Sequence, residues 1–475
     1  MKKLGVSLCF SLLLIAAACA VNPVTGKREL ILISEQYEIE LGKETDAEIR
    51  QEYGAYNDPH LNQYVRQVGM TLVPYTHRPH LTYHFIVLDS PVVNAFAVPG
   101  GYIYVTRGIL AMMNSEAELA VVLGHELGHV NARHSVRKLS KLLLVELGVA
   151  VGSALSETFA KISGVASIGI QLLFLKFSRD DERQADQLGV EYSRRGGYNP
   201  NEMINFFNTL QKLGDLSGGQ SLPGFLSTHP LTSERIQNTQ GMIRENDQQL
   251  RINQNSYLKR IDNMVFGDNP QQGFVEGNTF YHPQMRFYFS FPQGWKLQNK
   301  ASKVVLASED GNAAVVLQAE KSSDGLDSYA QKKAQSLEKK QFIRDKRLTI
   351  NGMASYYQLY DIAQDDKDDL RVGMYFIRKG ENIFTFFALS TAQNYNNYDF
   401  QFETLAGSFN ILRDKAYLNR KPKRIKLYRP TGREALQRIF QKAGMEEELW
   451  SKFAIMNGKG LHEISDKNQV LKIVR

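Results

Sequence analysis

Two histidines and a glutamate near the middle of the first half of the chain have the spacing of a metal site with a general base. His125 and His129 are four residues apart, so on a helix both imidazoles project from one face, about one turn from each other, and can hold one metal ion. Glu126 lies at the edge of that face, where a carboxylate can act on water without displacing it. Alternatively, the three residues belong to a charged surface helix that happens to carry two histidines.

The residues around this motif favour a metal site over a surface helix. Residues 117–130 are mostly apolar, which predicts a buried helix, and buried titratable side chains are costly unless they have partners. Gly124 and Gly128 each destabilise a helix interior by about 1 kcal/mol relative to alanine. We therefore expect these glycines to let another element approach the helix closely.

A third metal ligand is expected elsewhere in the chain, because catalytic zinc sites usually have three protein ligands and a water. Residues 178–186 carry Glu182 and Asp186 four residues apart on a predicted helix, so both carboxylates face the same way. Glu182 can bind the metal, and Asp186 can accept a hydrogen bond from a ligand imidazole. Standing alone, this run is typical of a charged, solvated helix face.

Four groups of residues occur in an order that is typical of one peptidase family. They are Asn94-Ala95-Phe96 with Pro99-Gly100-Gly101, then His125-Glu126-Leu127-Gly128-His129, then Ser178-Arg179 through Glu182 to Asp186, then Ser227-Thr228-His229-Pro230 followed by Glu234-Arg235-Ile236. Over residues 34–247 the chain therefore resembles the HtpX/BepA/Oma-like gluzincin family of zinc metallopeptidases. The resemblance implies an endopeptidase with one Zn²⁺ per chain, bound by His125, His129 and Glu182, and with Glu126 as the general base.

Further residues near the motifs are candidates for the site. In the family the histidine before the proline lies near the active site, so His229 is expected either to contact the transition-state oxyanion or to gate the cleft. Alternatively, His229 only precedes a helix that starts at Pro230. Arg235 is expected to pair with a nearby carboxylate, and His134, which lies beyond the ligand pair, is interpreted as structural.

A short hairpin before the metal motif is a candidate for substrate binding. Residues 94–98 and 102–105 have the pattern of strands that flank a Pro-Gly-Gly turn. A strand beside a metal cleft can accept an extended peptide by edge pairing, although ordinary sheet structure explains the pattern equally well. The candidate substrate-binding residues are Asn94, Ala95, Phe96 and Gly101.

The beginning of the chain has the pattern of a lipoprotein signal peptide. Lys2 and Lys3 precede an apolar run, and three alanines precede Cys19, which suits cleavage with a lipid attached to Cys19. An uncleaved anchor helix is the alternative, although the run is short for a membrane span. The pattern predicts a lipid-anchored protein on the periplasmic face of the cell envelope, at the outer membrane if the cell has one.

The composition excludes a disulfide framework and gives no support for nucleic-acid binding. The two cysteines, Cys9 and Cys19, both lie in or next to the predicted signal peptide, so no thiol pair remains for the folded body. A net charge of +7 is modest for 475 residues and is compatible with contact to an anionic membrane.

We predict an α+β protein in which a mostly helical zincin-like peptidase domain with a small edge sheet is followed by an α+β domain and a small βααβ unit. The α+β domain loosely resembles PsbP-like and Mog-like domains. The last unit weakly resembles a LysM domain, which implies peptidoglycan contact, with a bare interaction module as the alternative. The predicted segments are signal peptide 1–18, tether 19–33, peptidase domain 34–247, linker 248–283, accessory domain 284–415 and LysM-like unit 424–475.

The apolar stretch 142–175 lies between the two metal motifs. Because charged residues interrupt it and its longest uncharged part is below the usual spanning length of about 20 residues, we predict two buried or lid helices there. Surface contact with the membrane is the alternative.

These observations predict a zinc metalloendopeptidase that cleaves misfolded or misassembled envelope proteins as part of protein quality control. Its expected partners are protein substrates, the membrane through the lipid on Cys19, and peptidoglycan through the C-terminal unit, without nucleic acid. One alternative is an envelope chaperone or assembly factor that uses the peptidase fold mainly to bind clients. Another is a cell-wall peptidase.

Overall fold

The computed structural model describes residues 19–148, 176–216, 218, 224–364 and 368–475. By their packing these residues divide into two units: one holds residues 19–148 and 176–268 together with Lys423–Arg475, and the other holds Asn269–Pro422. The predicted signal peptide, 1–18, and the part of the apolar stretch over 149–175 lie outside the described residues. Within the described ranges, the structure contains no helix that is both long enough and apolar enough to span a membrane.

Helices make up most of the first unit, as the mostly helical prediction required. Up to residue 268 they are α1 (Glu35–Tyr53), α2 (Pro59–Leu72), α3 (Arg107–Met112), α4 (Glu116–Asn131), α5 (His134–Gly148), α6 (Arg179–Arg195), α7 (Glu202–Leu216), α8 (Gly224–Thr228), α9 (Ser233–Met242) and α10 (Gln254–Ile261). The apolar side chains of most of these helices share one core with a small sheet. The predicted α+β class is confirmed.

The small sheet of the first unit has three strands in the order β3, β5, β4. Strand β3 (His84–Leu88) runs parallel to β5 (Tyr102–Thr106), and β4 (Ala95–Val98) pairs antiparallel with β5. A turn over Pro99–Gly101 joins β4 to β5, and its two glycines have φ of +80° and +95°, which L-residues with a side chain rarely adopt. The sheet therefore has β4 as an edge strand, on the side of β5 opposite to β3.

Helix α4, which carries the metal motif, is buried along its whole length. It begins at an N-cap, Ser115, whose side chain accepts a hydrogen bond from the backbone N–H of Glu118. A Cβ on Gly124 would lie 3.1 Å from the carbonyl oxygen of Gly189, and a Cβ on Gly128 would lie 3.1 Å from the Cα of Ala185, both on α6. The glycines therefore bring α4 and α6 into close backbone contact, as expected from the sequence.

Residues 19–33, predicted as a tether, are packed against the first unit. Strands β1 (Cys19–Val21) and β2 (Arg28–Leu30) form a hairpin. Asn22 is fully buried: its side-chain oxygen accepts from the backbone N–H of Val24, and its amide donates to the carbonyl of Ala132. The hairpin is held in place because this buried amide closes its turn and also contacts the end of α4.

Within its described residues, the second unit contains two antiparallel sheets and three α-helices. The strands are β6 (Phe274–Glu276), β7 (Thr279–His282), β8 (Phe287–Ser290), β9 (Lys296–Asn299), β10 (Lys303–Ala307), β11 (Ala313–Lys321), β12 (Lys340–Ile350), β13 (Met353–Ile362), β14 (Leu370–Lys379), β15 (Asn382–Thr391) and β16 (Asn410–Ile411). A seven-stranded sheet has the order β12, β13, β14, β15, β11, β10, β9, and a four-stranded sheet has the order β16, β8, β7, β6. Helices α11 (Leu326–Gln335) and α12 (Tyr395–Gly407) supply apolar side chains to two separate cores, and α13 (Lys415–Leu418) ends the unit.

The last stretch of the chain returns to the first unit. Strand β17 (Ile425–Tyr428) pairs with β20 (Leu471–Val474), and β18 (Glu434–Ala435) pairs with β19 (Ile464–Ser465). Between them lie α14 (Leu436–Lys442) and α15 (Trp450–Met456). The ring of Phe453 on α15 lies 4.8 Å from that of Phe266, and the apolar residues of this stretch join the core of the helical region.

Residues 248–283, which their polar composition predicted to be a linker, are instead part of both units. Three residues of α10 (Tyr257, Leu258 and Ile261) are buried in the core of the first unit, whereas β6 and β7 belong to the second unit. The sequence does not indicate that α10 is a buried helix, because this helix is short and is flanked by Asn and Gln residues. The other predicted boundaries, and the peptidoglycan contact expected of residues 424–475, stay predictions.

Candidate metal centre

Four buried side chains bring their ligand atoms together at one point of the first unit. His125 and His129 come from α4, Glu182 comes from α6, and His229 directly follows α8; their ligand atoms all lie within 4.8 Å of one another. The Nε2 atoms of His125 and His129 are 3.1 Å apart. Nδ1 of His229 lies 3.3 Å from Nε2 of His125 and 2.9 Å from Oε1 of Glu182. The structure thus brings together the two histidines of α4 and Glu182 of α6, which the sequence predicts on separate helices.

The residues present fit a zinc ion. Imidazole nitrogens and a carboxylate oxygen are the usual ligands of zinc in proteins. Nδ1 of His125 lies 2.9 Å from Oδ1 of Asp186, and a carboxylate only accepts hydrogen bonds, so Nδ1 carries the hydrogen and Nε2 presents a lone pair to the cluster. Burial is the largest cause that holds the pKa of His129 well below its usual value, and positive charge on the neighbouring histidines lowers this pKa further. A neutral imidazole at His129 also has a lone pair to offer.

Arg235 binds the carboxylates of Glu182 and Asp186, both on α6. Its Nε and Nη2 atoms each lie 2.7 Å from an oxygen of Asp186, and Nη1 lies 2.9 Å from Oε2 of Glu182. Burial alone would raise the pKa of Asp186, but the charge and hydrogen bonds of Arg235 outweigh it and lower that pKa. Burial likewise opposes the charge of Glu182, and His229 and Arg235 nevertheless lower its pKa. Both side chains therefore stay ionised, as a ligand and its hydrogen-bonding support require.

Glu126 lies beside the cluster with one oxygen unused. Its side chain is 1% exposed, and Oε1 makes no hydrogen bond with any described residue. The nearest charged partner is His229, whose Nε2 is 3.8 Å from Oε1 and also lacks a hydrogen bond within the described ranges. Burial raises the pKa of Glu126, and the nearby histidines only partly oppose this.

His229 is held by aromatic rings and by its own short helix. Its backbone N–H donates to the carbonyl of Phe225, and its ring stacks on the ring of Phe225 at a centroid distance of 4.7 Å. A second ring, that of Phe177, lies 5.6 Å away. The next helix, α9, does not begin at Pro230 as predicted; it begins at Ser233, because Thr232 caps it by accepting from the backbone N–H of Arg235.

The candidate substrate-binding residues are at the edge strand and its turn, with different surroundings. Asn94, just before β4, has a buried side-chain oxygen without a hydrogen bond to any described residue. Ala95 is buried, and the ring of Phe96 packs against Tyr104 at 5.0 Å. Gly101 lies against the backbone of Thr82, where a Cβ would come within 2.7 Å of the carbonyl oxygen. Packing accounts for Phe96 and Gly101, and the substrate-binding roles stay predictions.

His134, which the sequence indicates only as a structural residue, lies directly beside the ligand cluster. It is 1% exposed, and its Nδ1 lies 2.9 Å from Nδ1 of the ligand His129. The chain turns back at Arg133, which has φ of +55° between the end of α4 and the start of α5. A left-handed arginine has no clear sequence signal, since such conformations favour Gly, Asn or Asp.

A cavity of about 220 Å³ opens beside Glu182. It is bounded by residues at the start of α6 and the start of α9. The lining residues are Phe177, Arg179, Glu182, Arg183, Pro230, Thr232, Glu234 and Arg235.

Comparison with known proteins places this site in a family. Residues 59–243 match the profile of peptidase family M48. The β-barrel assembly-enhancing protease of Yersinia pestis is 34% identical over 189 residues, which are 38% of this chain and 38% of that protein. Its counterpart in Escherichia coli K12 is 30% identical over 209 residues, 42% of each chain. The mitochondrial metalloendopeptidase OMA1 of Schizosaccharomyces pombe is 30% identical over 229 residues, 47% of this chain and 66% of that protein.

The matches to the two bacterial proteases span only about two fifths of their length. Two solved structures are similar to another part of the chain. Cyanobacterial PsbP from Synechocystis has a TM-score of 0.24 and 15% identity, covering 29% of this chain and 96% of that one. The Saccharomyces cerevisiae Ran-binding protein Mog1p has a TM-score of 0.22 and 9% identity, covering 30% and 99%. The stretch matched by the profile contains every residue of the ligand cluster, and residues 59–243 are a zinc metallopeptidase domain of peptidase family M48.

Proposed function

We propose that the chain is a zinc-dependent endopeptidase of the cell envelope that cleaves misfolded or misassembled proteins. The observation that carries the proposal is the position of Glu126. Its buried carboxylate adjoins four metal-ligating side chains, and Oε1 makes no hydrogen bond within the described residues. A carboxylate with a free oxygen beside metal ligands is what the activation of water requires.

In the proposed reaction the residues of the chain divide the work of binding and proton transfer. Zinc bound by His125, His129 and Glu182 would supply Lewis acidity, which polarises the carbonyl of a peptide bond and makes water more acidic. Glu126 takes a proton from the attacking water and donates it to the leaving amine. Burial raises the pKa of Glu126, so the carboxylate binds the proton more tightly between the two steps than an exposed glutamate would.

The support of His125 is the second part of the proposal. Asp186 accepts the hydrogen bond from Nδ1 of His125 and is itself held by two hydrogen bonds from Arg235. This arrangement fixes the imidazole ring, so that Nε2 stays directed at the ligand position.

We further propose that His229 closes the site in the described conformation. Its Nδ1 lies among the ligand atoms, at a position that water or substrate needs for catalysis. The backbone N–H of Phe225, in the same segment, donates to the carbonyl of Val93 and thereby covers the approach to β4. For a substrate to reach both the metal ligands and the edge strand, residues 224–229 must move.

This part of the proposal is tested by His229→Ala. If His229 mainly gates the cleft, the variant cleaves faster than the wild type; if it mainly contacts the oxyanion, the variant cleaves more slowly. Cleavage of an unfolded protein is measured at saturating zinc, so that weaker metal binding does not mimic a slower reaction. A faster rate supports the gate, and a slower rate refutes it.

Two further parts of the proposal concern the location of the enzyme in the cell envelope and its substrates. Cys19 follows a run of residues that fits lipid attachment. The relatives named β-barrel assembly-enhancing protease support substrates among proteins that are assembled into β-barrels. Both inferences concern where the enzyme meets its substrates and leave the chemistry at Glu126 unchanged.

The central experiment compares zinc content and cleavage in three variants of the full chain. Glu126→Gln is expected to retain zinc and to lose cleavage by a factor of roughly 10²–10⁴, the usual contribution of a general base. His125→Ala is expected to lose both. Glu40→Gln, an exposed glutamate on α1, is the matched control and should behave like the wild type. Wild-type cleavage by Glu126→Gln would refute the mechanism, and full function of that variant in cells would favour the chaperone alternative.

A further inference from the structure

The two ligand histidines of α4 are supported in different ways. Nδ1 of His125 contacts a carboxylate, that of Asp186, whereas Nδ1 of His129 contacts another imidazole, that of His134, at 2.9 Å. The two rings of this second pair are nearly perpendicular, with centroids 4.9 Å apart. A carboxylate can only accept a hydrogen bond, but an imidazole can accept or donate. The direction of the hydrogen bond at His129 therefore depends on what lies beyond His134.

Two groups beyond His134 decide that direction. Nε2 of His134 lies 2.9 Å from Oε1 of Gln184 and 3.6 Å from Oδ1 of Asp181. Asp181 is ionised, because it pairs with Arg137 and accepts hydrogen bonds from Ser178. Both oxygens accept, so Nε2 of His134 carries the hydrogen and Nδ1 is left with a lone pair. Nδ1 of His129 must then be the donor of the bond between the two rings.

The same chain of hydrogen bonds determines which nitrogen of His129 faces the metal ligands. With its hydrogen on Nδ1, the neutral ring of His129 has a lone pair on Nε2, the atom that lies 3.1 Å from Nε2 of His125. If the chain ran the other way, His134 would donate to His129, and Nε2 of His129 would carry a hydrogen. That tautomer cannot bind a metal through Nε2.

We infer that His134 is a positioning residue for the metal centre, which holds His129 in the tautomer that binds zinc. Gln184 and Asp181 set the direction of the hydrogen bonds, and the left-handed turn at Arg133 brings His134 back onto the end of α4. His134 touches the ligand ring and has no contact with the reacting atoms in this role. The inference rests on the proposed function only in taking zinc as the bound metal.

The test measures the zinc dissociation constant of the full chain by competition with a chromophoric chelator. His134→Leu is expected to bind zinc more weakly by a factor of roughly 10–100, the usual effect of losing such support. His134→Asn retains an acceptor near the position of Nδ1 and should recover most of that loss. His60→Leu, an exposed histidine on α2, is the matched control. Equal affinity of His134→Leu and wild type, or equal weakness of His134→Asn and His134→Leu, would overturn the inference.

A second pair of variants keeps the test valid if His134→Leu does not fold. Gln184→Lys replaces the nearer of the two acceptors beyond His134 by a group that only donates. This change opposes the hydrogen-bond direction that His129 needs and is expected to weaken zinc binding about tenfold. Gln187→Lys makes the same change one turn further along α6 at an exposed position and should leave the affinity unchanged. Equal zinc affinity of these two variants would also overturn the inference. Because no readout requires peptide cleavage, this result is independent of whether the chain is an active endopeptidase.

Discussion

Lys472 makes one of the buried contacts by which the C-terminal stretch joins the peptidase region, and its replacement by methionine tests that packing. Its side chain is 0% exposed, and Nζ donates to the carbonyls of Ala111 at 2.9 Å and Met113 at 2.8 Å. These carbonyls end α3, where no further turn of helix supplies a donor. Lys472→Met keeps the length and the apolar stem of the side chain but leaves both carbonyls without this donor.

The size of the effect follows from two opposing contributions. A buried carbonyl left without a donor costs roughly 1–3 kcal/mol, so the two lost bonds predict a loss of about 2–6 kcal/mol. Against this, burial lowers the pKa of Lys472 to about 7, and Glu118 only partly opposes the shift. In the unfolded chain the pKa is about 10.4. The folded state therefore binds the proton less tightly, and burying the ammonium offsets part of the benefit at neutral pH.

The sign of the pH dependence follows from the same values. Between pH 7 and about 10 the unfolded chain holds more protons on Lys472 than the folded chain does, so this residue makes folding more favourable as the pH rises. Methionine does not titrate. The free energy of unfolding of the wild type minus that of Lys472→Met is therefore expected to increase from pH 7 to pH 9, with a slope of up to about 1.4 kcal/mol per pH unit.

The assay is urea unfolding followed by tryptophan fluorescence. The chain has two tryptophans, Trp295 in the second unit and Trp450 in the first, so a Trp295→Phe background makes the signal report on the first unit alone. Lys467→Met, at an exposed lysine of the same C-terminal stretch, is the control. Equal stability of the two methionine variants at pH 8 would contradict the role given to Lys472, and so would a difference between wild type and Lys472→Met that shrinks as the pH rises.

Two further substitutions test how α4 is held. Gly124→Val places a side chain against the backbone of Gly189, where even a Cβ would lie 3.1 Å from the carbonyl oxygen. Urea unfolding is expected to show that this variant destabilises the first unit by about 1–3 kcal/mol. Gly241→Val, which has open space around it, is the control and should not show a loss of this origin. Arg235→Lys removes the bidentate hydrogen bonding to Asp186 and should weaken zinc binding about tenfold, as measured by chelator competition. Arg195→Lys, at an exposed arginine paired with Glu191, is the control and should leave the affinity unchanged. Equal zinc affinities of the two variants would contradict the role given to Arg235.

The ligand residues could be predicted from the sequence because each pair lies on one helix. A spacing of four places His125 with His129, and Glu182 with Asp186, on common faces whatever the rest of the fold does. Gly124 likewise indicated a close contact with another helix, although its partner, Gly189, could be identified only in the structure. Local periodicity was enough to place each pair on one helix face, whereas the resemblance to the metallopeptidase family implied that Glu182 joins the two histidines as a ligand.

The features that the sequence did not predict depend either on an unusual backbone conformation or on contacts between distant residues. His134 reaches His129 only because Arg133 adopts a left-handed conformation. From the sequence, α10 has the composition of a linker and the C-terminal stretch has the pattern of a separate unit. In the structure both contribute side chains to one core, in which Phe453 contacts Phe266. Hydrophobic patterns indicate which side chains are buried, but they do not indicate which distant segment buries them.

Three segments that are far apart in the sequence hold the turn before α4, the middle of α4 and the end of α4. Lys472 binds the end of α3 just before the cap at Ser115, α6 contacts the middle of α4 at Gly124, and His134 supports His129 near the end. Metal ligands must be held to within a few tenths of an ångström to bind well, so all three contacts bear on the zinc site. It follows that an exchange of residues 423–475 would also remove the contact that holds the turn between α3 and α4.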